Sequence, residues 1–342
     1  MKGKKKHDFL SKKCNSEIRN MLLEIHNSPH VVGKVNEILQ ILFKKEECKD
    51  VLLMSFICYV MAIDVSYDHI ETILGFRLNP LYFEKYKEIK ELVLINGNNI
   101  RFKSSSIAYH VIANNNFNSD ILEIVCKMVN VLSNHAYSSK NISVLKLVIS
   151  FSNLRMIFNR KDKEISKIYI SFYENARKTQ YYSENPFFWI QYSLAVMEIH
   201  NYDAAELYLE NASSFSKERY SEESYQVESL RARLLLEKTM YNMDKDNAFV
   251  NFEKAHKLIC SNKTPERHYP YRQVGQYVEY YKKFYQFFSD NEKVAFMFMC
   301  TEIHKKMNEY VNSSNNYERN NRSKNKEISN IILRLEKIID KM

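Results

Sequence analysis

Apolar positions along this chain recur at steps of three and four over most of its length, the period of an amphipathic helix. Residues 14–46 carry two such faces. Ile18, Met21, Leu22 and Ile25 form one, and Val35, Ile38, Leu39 and Leu42 form the other. Asn27-Ser28-Pro29 separates them, because Pro removes a donor and restricts the residue before it. From about residue 118 the faces follow in series, through Ile121, Val125 and Met128, then Val144, Leu147 and Val148, then Ile165, Ile168 and Phe172. Two later stretches share a sharper pattern. Ala205, Leu209 and Ala212 lie four and three apart, and Ala248, Phe252 and Ala255 repeat that spacing. Small, large, small at these steps lets a neighbouring helix approach closely and settle beside the large residue. The pattern predicts helix pairs over roughly 186–216 and 222–262, and a further pair at about 270–289 and 291–311. Residues 312–326 are rich in Asn, Ser and charge and read as a linker. A terminal helix follows over 327–342, with Ile328, Ile331, Leu335 and Ile338 on one stripe, and is expected to cap the stack.

Residues 47–117 break the series. A helix runs through Val51, Leu52, Phe56 and Val60. Ser66 is placed to cap a short second helix that ends at Gly75. Pro80 opens a third through Tyr82, Phe83, Tyr86 and Ile89. Leu92-Val93-Leu94-Ile95, then Asn96-Gly97-Asn98-Asn99, then Ile100-Arg101-Phe102 reads as a hairpin across an Asn-Gly turn. Three helices and a hairpin predict a winged-helix domain. Five Gly and five Pro in 342 residues leave little material for turn-rich sheet. Trp189, sixteen residues before Ala205, stands where the tetratricopeptide pattern places its Trp. The expected fold is therefore mainly α, a small winged-helix module followed by an α-solenoid of tetratricopeptide-like pairs over 118–311. Trp189, Ala205, Leu209, Ala212, Ala248, Phe252 and Ala255 are its expected structural anchors.

Charge changes this picture little. The net charge is +9, part of it in Lys2, Lys4, Lys5, Lys6, Lys12 and Lys13. Residues 1–13 are expected to be a solvated, disordered basic tail. The six cysteines are scattered with no C-x-x-C pair, which points to a reducing compartment and no disulfide framework. The basic start lacks a following apolar segment, and Val51–Ile63 is too short to span a bilayer. A cytoplasmic location and no membrane contact are expected.

Catalytic motifs are sparse. Gly3-Lys4 and Gly33-Lys34 lack the rest of a P-loop. His26 and His30 are four apart, but Pro29 intervenes and neither Cys nor carboxylate completes a set. No cofactor and no metal site is expected. Arg19-Asn20 with His26 resembles the R-x(4–6)-H motif of HEPN-type ribonucleases, in which Arg stabilises a strained phosphate and His transfers a proton. That makes Arg19 and His26 the enzyme alternative. For nucleic acid, the third helix offers Lys85 and the hairpin offers Arg101 and Lys103, although Glu84, Glu88 and Glu91 oppose phosphate contact. Arg267, Tyr271, Arg272, Tyr277 and Tyr281 form an aromatic, basic stretch suited to a protein interface.

The order of parts resembles the C-terminal half of a prokaryotic STAND signalling NTPase, several of which serve in antiviral defence. The residues that carry this resemblance are Phe187-Phe188-Trp189-Ile190-Gln191-Tyr192-Ser193-Leu194-Ala195, Tyr202-Asp203-Ala204-Ala205 and the segment Ser229–Leu236. Ile100-Arg101-Phe102 followed by Ser106-Ile107-Ala108 is similar to that family's strand-then-helix junction. The P-loop and the Mg²⁺-binding acid of the family are absent, and so is the basic residue expected near Ser104 or Ser105. The resemblance implies a split or truncated member. It would act as a non-catalytic sensor or scaffold that binds a protein ligand, phage-derived in a defence setting, or a separate NTPase or effector subunit. A nucleic-acid-binding regulator is the second reading. A homo-oligomer is compatible with all of these.

Overall fold

The computed structural model describes residues 29–64, 66–78, 88–96, 99–103, 117–220, 224–261, 269–314 and 322–342. Helices dominate them. The chain divides into two compact units, one up to Ser183 and one from Glu184 onward.

The first unit begins with α1, Pro29–Leu42, and α2, Glu46–Val60. α2 is buried on nearly every side, through Val51, Leu52, Met54, Phe56 and Ile57. A helix without a polar face belongs at the centre of a core. α3, Tyr67–Leu74, ends as expected at Gly75, whose φ of 80° is left-handed and whose N–H donates to the Glu71 carbonyl. Ser66 precedes it but makes no side-chain cap. Its hydroxyl lies 2.8 Å from His69 Nδ1 instead. α4, Ile89–Leu92, is a single turn leading into β1, Val93–Asn96. β2, Asn99–Phe102, pairs antiparallel with β1, Val93 opposite Phe102 and Asn96 opposite Asn99. Phe102 meets Phe56 of α2 edge-on at 6.3 Å. The helix expected through Tyr82, Phe83 and Tyr86 lies outside the described residues, as do the hairpin's turn and the segment 1–28.

α5, Asn118–Ser133, α6, Ser139–Ile149, α7, Phe151–Ile157, α8, Ile165–Arg177, and α9, Gln180–Ser183, complete this unit. Buried polar latches fix their register. Asn118 Nδ2 donates to the Asn159 carbonyl at 3.1 Å and to Asp162 at 2.8 Å, while its Oδ1 accepts from Asn159 N–H at 2.8 Å. Tyr173 and Tyr182 donate to the Ile149 and Leu145 carbonyls. A buried hydroxyl needs such a partner to offset its desolvation.

The second unit opens with α10, Pro186–Glu198, and α11, Tyr202–Tyr220, followed by α12, Tyr225–Asn242, and α13, Ala248–Cys260. These pack as two consecutive pairs, α10 on α11 and α12 on α13. Asn185 caps α10 by accepting from Phe187 N–H, with Pro186 at the first helical position. Ser224 caps α12 through Gln226 N–H. Between the pairs, Arg231 bonds Glu210, and Lys238 bonds Asp203 and Glu206, each at 2.9 Å. Such exposed ion pairs contribute little and set register more than stability.

The segment expected as one helix over 270–289 is broken. It comprises α14, Tyr269–Gln273, a 3₁₀ turn at Val274–Gln276, α15, Tyr277–Phe284, and a second 3₁₀ turn at Tyr285–Phe287. The first break falls at Gly275, a poor helix former, where the chain passes so close to Ile331 that a Cβ would touch its side chain at 3.7 Å. α16, Asp290–Ser314, takes as its main neighbour α17, Arg322–Ile339, not the segment before it. Ile328, Ile331, Leu335 and Ile338 of α17 are buried within one cluster that also holds Phe252, Tyr277, Phe296 and Ile303.

Candidate functional site

The anchors of the two pairs share one design with different fillings. Ala205, Leu209 and Ala212 are buried, and so are Ala248, Phe252 and Ala255. Small residues at the outer positions bring the helices close. In the first pair the space beside them is filled by aromatic rings. Tyr192 stacks on Tyr208 at 4.1 Å, with Trp189 5.6 Å from Tyr208. In the second pair Phe252 is the hub, with ring centroids of Phe296, Tyr277 and Tyr280 at 4.3, 4.6 and 5.5 Å.

Beside Phe252 lies a polar cluster that the sequence reading did not anticipate. His256 and Cys260 are one turn apart on α13, and Glu302 reaches them from α16. His256 Nε2 is 3.4 Å from Glu302 Oε2 and 3.4 Å from Cys260 Sγ. On the ring's other side, His256 Nδ1 is 3.1 Å from the hydroxyl of Tyr277, which is fully buried. Lys306 Nζ donates to the second Glu302 oxygen at 2.7 Å. Burial lowers the His256 pKa, against the opposing pull of Glu302, and so favours the neutral imidazole. Burial pushes the Cys260 thiol up to about 11, with Lys306 working the other way. The Lys306 hydrogen bond holds Glu302 below the usual carboxylate range. The pair of donors on α13 was visible as His-x₃-Cys. The third was not, because it stands 46 positions from His256.

α16 also carries an outward apolar strip. Val294, Met297 and Phe298 lie at helical spacing and are 63%, 37% and 69% exposed, while Phe296, Cys300 and Ile303 of the same helix are buried. Grouped exposed apolar side chains of this kind mark contact surfaces more often than isolated ones do.

The residues expected at a protein interface fare differently. Tyr277 is a core residue, held by His256 and the Phe252 ring, and has no exposed surface to offer. Arg272 is engaged within the chain, its Nε 2.9 Å from both oxygens of Glu327 on α17. Tyr271 is half-buried against Tyr310, and Tyr281 packs on Tyr285 at 4.7 Å. This stretch is engaged within the chain, its rings against α13 and α16 and Arg272 against α17. Arg267 lies outside the described residues, as do Arg19, His26 and Lys85. Arg101 stands in β2 opposite Leu94, its side chain not among those described. Lys103 follows β2 and is exposed, and its N–H donates to the Leu92 carbonyl at 2.9 Å.

No described helix is long and apolar enough to cross a membrane. No family model matches the chain, and neither a curated protein nor a solved structure was found to resemble it.

Proposed function

We propose that this chain is a non-catalytic sensor or scaffold that binds a protein ligand through its helical repeats together with α16, a helix that follows them. The observation that carries this reading is the exposed strip of Val294, Met297 and Phe298 on a helix whose opposite face is locked into the core. A rigid helix presenting adjacent apolar side chains suits a protein surface, since burial of each contributes on the order of 1.5–3 kcal/mol on contact. Consecutive pairs α10–α11 and α12–α13 support the repeat reading, because stacked pairs recognise partners along an extended surface. The hairpin and the helices before it support a winged-helix-like module in the first unit. The resemblance to STAND signalling NTPases supplies the setting: a split or truncated defence protein whose ligand is a phage protein and whose NTPase or effector is a separate chain.

The test is affinity capture with the tagged full chain from phage-infected bacteria, run beside a variant carrying Val294→Glu and Phe298→Glu. The expected result is a protein retained by the parent, lost by the variant, and able to bind the purified parent directly. Identical captures from both folded proteins, or no direct binder, would overturn the reading.

A further inference from the structure

We propose that His256, Cys260 and Glu302 form a binding site for a borderline-soft divalent metal ion of the Zn²⁺ class. This goes beyond the protein-binding reading and does not depend on it. The donor set is imidazole nitrogen, thiol sulfur and carboxylate oxygen, the three side-chain types that Zn²⁺ takes. Their three donor atoms lie within 4.8 Å of one another. Tetrahedral Zn²⁺ at its usual bond lengths separates N from O by about 3.3 Å and N from S by about 3.6 Å. The two separations from His256 Nε2, both 3.4 Å, match those edges within a few tenths of an ångström. Only the edge between Cys260 and Glu302 has to close, and both side chains are partly exposed.

A second observation is the ring's orientation. Tyr277, fully buried, fixes His256 from the Nδ1 side. With the proton on Nδ1 and donated to the Tyr277 oxygen, the Nε2 lone pair faces Cys260 and Glu302. A metal-ligating imidazole is held in this way, by a hydrogen bond from its remote nitrogen. Lys306 completes the arrangement by occupying one Glu302 oxygen and leaving the other turned toward His256.

A third observation comes from the repeat itself. Aligning Ala205 with Ala248 places Ser213 at the position of His256 and Lys217 at that of Cys260. The first pair therefore packs the same signature without either donor. Helix pairing gives no reason for an imidazole and a thiol on this turn of α13.

The charge balance is simple. Zn²⁺ binds neutral His256, the Glu302 carboxylate and the Cys260 thiolate. Cys260 gives up its proton to solvent, so one proton leaves per ion and the three ligands with their ion carry no net charge. Water takes the fourth position.

The experiment uses the purified full chain, stripped with a chelator and titrated with Co²⁺, then with Zn²⁺. One equivalent of Co²⁺ is expected to give thiolate-to-cobalt charge-transfer absorption in the near ultraviolet, with Zn²⁺ displacing it and one proton released. Cys260→Ser is expected to abolish the band. Tyr277→Phe is expected to keep the band and weaken binding by about 10- to 100-fold, as for other partners of metal-bound histidines. Should Cys260→Ser fail to fold, Glu302→Gln at its half-exposed position gives the answer through loss of affinity. No band from the folded parent, or an equal band from folded Cys260→Ser, would overturn the site. Unchanged affinity in Glu302→Gln would do the same, and the cluster would be a hydrogen-bonded core group only.

Discussion

The two helix pairs of the second unit use one packing rule and differ in what they enclose. In α10–α11 the buried side chains include aromatic rings, aliphatic residues and the polar Gln191, Ser193, Ser213 and Ser216. In α12–α13 the same positions border a phenylalanine hub, a histidine and a thiol. The alanines set how near the helices come, and they do so in both. What fills the remaining space is left open by that rule: the first pair buries hydroxyls and an amide, while its neighbour brings together an imidazole, a thiol and a carboxylate. The spacing of small and large residues is thus informative about helix packing and silent about chemistry.

The largest test of this comparison is at the central positions. Phe252 draws together rings from α15 and α16, whereas the ring stack of the first pair, Tyr192 on Tyr208, lies within that pair. Phe252→Ala is expected to cost about 3–5 kcal/mol and Leu209→Ala about 2–5 kcal/mol, with the Phe252 loss the greater. Urea unfolding of the full chain followed by circular dichroism measures both. A greater loss at Leu209 would mean that the first pair, not the second, organises this unit.

A mid-sized test concerns the carbonyl of each leading alanine. Ser193 Oγ donates to the Ala205 carbonyl at 2.9 Å, within its own pair. Tyr280 Oη donates to the Ala248 carbonyl at 2.7 Å, from the segment that follows its pair. Equivalent acceptors are therefore satisfied by different donors. Ser193→Ala and Tyr280→Phe each remove one buried hydrogen bond with little loss of volume. Each is expected to cost about 0.5–1.5 kcal/mol. A Tyr280→Phe protein as stable as the parent would show that the hydroxyl adds nothing to docking of α15 on the second pair.

How much of this was legible from sequence follows the same divide. Periodicity located the helices of both pairs, the buried stripe of α17 and the stop at Gly75, because these depend on neighbours within a turn or two. The Asn-Gly hairpin was equally local. Three features were not legible. The break at Gly275 falls where the chain meets Ile331, which arrives from the last helix. Tyr277 looked like a surface residue among other tyrosines, and only the fold turns it toward His256. Glu302 is one carboxylate among many, and nothing near it in sequence marks it as the partner of a histidine on another helix. Local pattern gives the elements, and long-range packing decides which side chains meet.

The smallest test returns to the two pairs, at the point where the first helix of each ends. His200 and Met243 occupy equivalent positions and both adopt left-handed backbone, with φ of 60° and 52°. Non-glycine residues are strained there, by roughly 1–2 kcal/mol. The His200 ring offsets part of this strain. It stacks on Tyr241 at 4.8 Å, and its Nδ1 lies 3.1 Å from the Tyr202 hydroxyl. Met243 is 44% exposed, and its side chain has neither a ring to stack nor a nitrogen to hydrogen-bond. Met243→Gly is therefore expected to stabilise the protein by about 1 kcal/mol, raising the urea midpoint with no change in slope. His200→Gly relieves the same strain but removes a stack worth about 0.5–1.5 kcal/mol and a hydrogen bond of similar size, so it is expected to be neutral or destabilising by about 1 kcal/mol. Equal stabilisation by both glycines would mean that the His200 ring contributes nothing, and that the two turns differ in sequence but not in energy.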